Sequence, residues 1–134
     1  DKMKDFLNEF YGNYATQEEV NKAINNMYNE KGYLIDTHTA VAEVVYEKYV
    51  NETKDNRQVL IASTASPYKF PRSICKSLNL DVDNVNDFEV INKLNEYTKV
   101  EIPANLKDLD KKKVLHDEVW DKSEMRDALL AFLK

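Results

Sequence analysis

The sequence predicts an α/β fold in which a few short strands sit among several packed helices. Two observations carry this expectation. Apolar residues at helical spacing recur through most of the 134 residues. Between them stand two short apolar runs bounded by polar residues, "QVLIAS" and Val114 to Trp120, each reading as a strand. Strands separated by helices belong to the α/β class.

The elements follow in order. Met3, Phe6, Leu7 and Phe10 share one helical face, predicting an amphipathic helix that closes near Gly12. This opening, "DKMKDFLNEF", lacks an initiator Met and is already in helical register, as expected of a segment of something longer. Thr16, with Glu19 three residues on, forms a capping box that satisfies orphan amides at a helix start. Val20, Ala23, Ile24, Met27 and Tyr28 supply that helix's apolar stripe, and Gly32 its stop. In "YLIDTHTAVAEVVYEKYVNE", Asp36, Thr37 and Thr39 can each cap the next helix. Its stripe runs through Val41, Val44, Val45 and Tyr49, and the charged Glu43, Glu47 and Lys48 between them favour helix over strand.

"NETKDNR" is a polar turn, and "QVLIAS" after it reads as a buried parallel strand. "PRSICKSLNL" is expected to be a helix with Pro71 in its first turn, where a missing amide costs nothing. "VNDFEVINKLNEYTKV" is another, with Asp87 as its cap and Phe88, Ile91, Leu94 and Asn95 in phase; Pro103 marks a boundary. Lys111, Lys112 and Lys113 read as a solvated turn. After the second strand, which should bury Trp120, a last helix carries Met125, Leu129, Leu130 and Leu133.

Composition excludes several functions. A formal charge of −5 and a pI near 5.1 argue against general nucleic-acid binding, which needs surplus Lys and Arg to neutralise phosphates. No apolar run approaches the roughly 18 residues of a membrane span. A lone Cys75 cannot form an internal disulfide, so the cytoplasm is the expected compartment and helix packing its expected role. His38 and His116 stand too far apart for metal-ligand spacing, and His116 reads as structural. Gly12 and Gly32 alone cannot build a phosphate-cradling loop.

Two stretches concentrate polar groups at element ends. In "DTHTAV", Asp36, Thr37, His38 and Thr39 stand at a helix start, where free amides and the macrodipole attract anions. Simple capping is the plainer reading. "STASPYKFP", Ser63 to Pro71, leaves the end of the first expected strand, where α/β folds hold their ligands. Thr64 and Ser66 offer hydroxyls that donate and accept, and Lys69 a point charge for a phosphate or carboxylate. Equally, the hydroxyls could cap the following helix, with Tyr68 and Phe70 as core anchors. The residues alone leave both readings open.

Together, "GYLIDTHTAVAEVVYEKY" and "VLIASTASPYKFPRSI" resemble the C-terminal part of the threonine synthase family. The order of the stretches, their gap and the upstream "TQEE" helix fit as well. The resemblance is specific over residues 32–49 and 59–74 and vague after about residue 80. Thr37 stands where proline is common in the family. Ser66 stands where some relatives have histidine, which removes a titratable group.

The resemblance implies the C-terminal part of a fold type II, pyridoxal-phosphate enzyme that converts O-phospho-L-homoserine and water to L-threonine and phosphate. The cofactor acts as the electron sink while the protein orients. It implies that a Ser or Thr hydroxyl meets the pyridine nitrogen: Thr64 by its place in "STASP", with Ser63 and Ser66 as alternatives. Lys69 would either hold a substrate or cofactor phosphate or brace the loop, and His38 with Thr39 would brace the same cleft from the helix start. No lysine stands in the family's Phe-Lys-Asp context, so the Schiff-base lysine and the glycine loop are expected from a missing N-terminal portion. Residues 1–134 would then be a single C-terminal piece, inactive alone. Two rival classes remain: a small acidic helical module binding a partner protein, and a stand-alone phosphate-ester-binding domain using Lys69 and helix N-termini. Neither explains why both motif stretches occur together.

Overall fold

Thr16 and Glu19 close the expected capping box: the Glu19 amide donates to Thr16 Oγ1 at 3.3 Å, and the Thr16 amide to Glu19 Oε2 at 2.7 Å. From that start, in a computed structural model that describes residues 6, 7 and 9–133, helix α1 runs Gln17–Lys31. Gly32 ends it in the left-handed region at φ 66°, a conformation glycine adopts without strain. Helix α2 (Thr37–Thr53) starts at Asp36, helix α3 (Pro71–Ser77) carries proline in its first turn, and helix α4 (Asp87–Thr98) follows. The cap of α4 is Asn86, whose side chain accepts from the Glu89 amide, so Asp87 is its first residue. Helix α5 (Met125–Phe132) comes last.

α1 packs on both α2 and α3, and α3 packs on α4. One core joins them: Val20 and Ile24 of α1, Leu34 and Ile35, Ala40 of α2, Tyr68, Ile74 and Cys75 around α3, Val82, and Val90 and Leu94 of α4. Cys75 is fully buried, as its sequence context predicts, and burial pushes its thiol pKa up. Arg72 ties α3 to the next loop, donating to the carbonyls of Val82 and Val85 and to Asp87. No described helix is long and apolar enough to cross a membrane.

The α/β expectation is overturned: the described residues form helices and turns and contain no strand. "QVLIAS" is irregular, with Leu60 97% exposed and Val59 45%. Val114 to Trp120 is likewise irregular and exposed, and Trp120, expected in the core, is 44% exposed. His116 is exposed too. Apolar, β-branched runs carry strand propensity, but a strand exists only where a second one accepts its ladder. Neither run meets one here. Of the opening helical stripe, Met3 lies outside the described residues, and Phe6, Leu7 and Phe10 are exposed.

Candidate active-site wall

Asp36 is the anchor of the site. It is 2% exposed, and its carboxylate gathers the start of α2. Oδ1 accepts from the His38 amide at 2.8 Å and the Thr39 amide at 3.3 Å, while His38 Nδ1 lies 3.3 Å away. Because an ionised carboxylate only accepts, this contact puts the ring proton on Nδ1 and leaves Nε2 as the acceptor of the neutral ring. Oδ2 takes the Thr39 hydroxyl. Burial pushes the Asp36 carboxyl pKa up, but the Thr39 hydroxyl and the His38 and Thr39 amides outweigh it and hold the group below its ordinary value.

The Thr39 and Ser63 hydroxyl oxygens lie 2.9 Å apart. With the single Thr39 proton directed at the carboxylate, Ser63 donates to Thr39. A chain of two hydroxyls and one carboxylate therefore joins the "DTHTAV" helix start to the "STASPYKFP" loop. The aromatic side reinforces the meeting. His38 and Phe70 rings stand 5.7 Å apart at 30°, and Lys69 Nζ lies 5.6 Å from the Phe70 centroid.

The hydroxyls of the loop thus have separate fates. Ser63 is tethered to Thr39, and Ser66 caps the 3₁₀ turn Pro67–Lys69, accepting from the Tyr68 amide at 3.2 Å. Thr64 is exposed, and the hydrogen bonds that the loop hydroxyls make among the described residues come from Ser63 and Ser66. Lys69 and His38 are exposed, whereas Thr39 is buried and faces protein. Tyr68 and Phe70, paired as core anchors, divide: Tyr68 is buried, its hydroxyl donating to the Val100 carbonyl at 2.6 Å, while Phe70 is 45% exposed. Asp36 as more than a cap and Phe70 as a spacer between His38 and Lys69 are features that sequence reasoning missed. Alternation of polar and aromatic residues in "YKFP" was the one available signal.

A cavity of about 500 Å³ lies elsewhere, between α1 and α2, bordered by Glu19, Met27, Glu43, Glu47 and Lys48. It contains none of the motif's loop residues. Convergent polar chemistry, not volume, marks the candidate site.

The family model described as "Threonine synthase, C-terminal" matches residues 39–127, more than half of the chain. The chain belongs to this family. Its relatives include Threonine synthase-like 1 of Mus musculus, 35% identical over 95 residues, covering 71% of this chain and 12% of the mouse protein. Threonine synthase-like 1 of Homo sapiens is 38% identical over 72 residues, 54% of this chain and 9% of the human one. Threonine synthase of Saccharomyces cerevisiae is 34% identical over 77 residues, 57% of this chain and 15% of the yeast protein. The chain thus spans less than a sixth of the length of each. The family assignment places this chain among threonine synthase-related C-terminal sequences and agrees with the motif resemblance.

Proposed function

We propose that this chain forms the C-terminal wall of a threonine synthase-type active site, in a protein that converts O-phospho-L-homoserine and water to L-threonine and phosphate. The observation that carries the reading is the Ser63–Thr39–Asp36 chain, which brings both motif stretches together and leaves the exposed Thr64 beside its tethered neighbour. That donor set suits a pyridine nitrogen: a neutral hydroxyl can donate to it, and an exposed one is available to do so. Pyridoxal phosphate, when bound, supplies the electron-withdrawing ring.

The chain's own residues then hold and orient. Thr64 donates its proton in a hydrogen bond to the ring nitrogen without transferring it, with Ser63 fixing the backbone beside it. Lys69, a compact and mobile cation, attracts the phosphate of substrate or cofactor. His38 offers Nε2 across Phe70 from Lys69. Thr39, buried against Asp36, supports the wall from within and does not itself face a ligand. The Schiff-base lysine and the phosphate-cradling loop come from protein beyond these residues, a reading for which the relatives' far greater length is support.

Thr64→Val in the full-length protein tests the assignment, since valine keeps the shape and removes only the hydroxyl. The variant is expected to shift the absorbance of bound pyridoxal phosphate and to lower turnover by about tenfold, the worth of one well-placed hydrogen bond. Unchanged absorbance, turnover and substrate affinity would show that Thr64 does not meet the ring.

A further inference from the structure

The two oxygens of Asp36 serve different parts of the chain. Oδ1 carries the helix cap, with the His38 and Thr39 amides and the His38 ring. Oδ2 takes only the Thr39 hydroxyl, which meets Ser63, 24 positions away in sequence. A helix cap requires the first branch and has no use for the second. Residues 54–66 have no helix or strand to hold them. Between Arg57 and Ser66, the Ser63 contact is the one side-chain hydrogen bond that ties this loop down among the described residues.

We propose that Asp36 is a positioning residue, which acts through the Thr39 hydroxyl on Ser63 and so fixes the backbone that presents Thr64. The inference rests on the reading of Thr64 given above and adds to it a buried acid that touches neither cofactor nor substrate. Asp36 sets the polarity of the chain. Its carboxylate demands the Thr39 proton, which obliges Thr39 to accept from Ser63, which orients the Ser63 hydroxyl inward and away from the ligand. The Thr64 hydroxyl is then the one left facing outward.

Asp36→Asn separates positioning from capping. Asparagine caps helices as well as aspartate, so a cap alone would survive the change. Its carbonyl must stay with the two helix amides, which leaves the NH₂ group facing Thr39. Thr39 then accepts, its proton turns toward Ser63, and the donor order reverses. In the full-length protein, Asp36→Asn and Thr39→Val are each expected to weaken pyridoxal phosphate affinity about tenfold, the worth of one hydrogen bond. Thr39→Ser, which restores the hydroxyl, should recover it to within about twofold. Amide hydrogen exchange at residues 62–65, read without cofactor, should accelerate in Thr39→Val, which removes the link to Ser63, and not in Asp36→Asn or Thr39→Ser, which keep it.

Wild-type cofactor affinity in Asp36→Asn would overturn the proposal, as would unchanged exchange in Thr39→Val or a Thr39→Ser variant no better than Thr39→Val. If Asp36→Asn fails to fold, the Thr39 pair decides by the same criteria. If exchange at residues 62–65 accelerates in Thr39→Val while Thr64→Val binds the cofactor normally, the Thr64 reading falls and the hold of Thr39 on the loop stands.

Discussion

Thr16 and Asp36 both start helices, and each is bonded to a residue three positions on, Glu19 or Thr39. Their surroundings are opposite. The Thr16 box sits at the surface, where Glu19 also reaches Lys48 on α2 at 2.8 Å. The Lys48 hydrogen bond, followed by the Thr16 amide, lowers the Glu19 pKa to about 2. Asp36 is buried, and through Thr39 its network leaves the helix for a distant loop. At the first start, water could replace any lost bond. At the second the carboxylate and the Thr39 hydroxyl are shielded from water, so losing their bond is costly, and a helix start becomes a device for holding another segment.

The comparison breaks most clearly at Asp36. Asp36→Ala removes the cap, orphans two amides and frees the Thr39 hydroxyl, and is expected to cost about 3 kcal/mol of folding stability. Chemical denaturation at neutral pH measures it. The sign with pH follows from the depressed folded value. The carboxylate's contribution is complete above the ordinary aspartate range, near about 4, and is lost as pH falls through the folded value. The gap between wild type and variant should therefore narrow in acid.

The corresponding change at the exposed start is milder. Thr16→Ala leaves the Glu19 amide to water and should cost about 1 kcal/mol, with no change in hydrogen exchange at residues 62–65. A loss equal to that of Asp36→Ala would show that burial does not distinguish the two starts.

How far each start was legible differs in the same way. Thr16-x-x-Glu19 and Gly32 are local signals, and the structure realises both within one helix. Asp36 was legible as one of three candidate caps; the Ser63 bond was not, because nothing in sequence encodes a contact across 24 positions. The family resemblance brought the two stretches together where spacing could not. The missed elements have a related cause. "QVLIAS" and Val114 to Trp120 have strand composition, yet pairing is a property of two segments, and neither finds its partner among the described residues. In α4 the expected phase holds for Leu94 and for Ile91, which packs against the core, whereas Val90 is buried with them and Phe88 is 40% exposed. In α5 the stripe of Met125, Leu129 and Leu130 is real but stays exposed among the described residues.

The smallest expected effect tests the α1–α2 contact that Glu19 and Lys48 bridge. Glu43 borders the same cavity, and burial, reinforced by Glu47 one turn on, raises its carboxyl pKa. A raised folded value means that the protonated form is favoured by folding: that contribution is present below the ordinary glutamate range and is lost as pH rises through the folded value. At neutral pH the charge is therefore a mild liability, and Glu43→Gln should stabilise by about 0.3 kcal/mol, the scale of one like-charge pair on a helix face. The gain should vanish below about pH 4, where wild-type Glu43 is itself neutral. Parallel denaturation curves at the two pH values read the difference. An equal gain at both would trace the effect to packing or helix propensity and would remove the charge of Glu43 from the account of this contact.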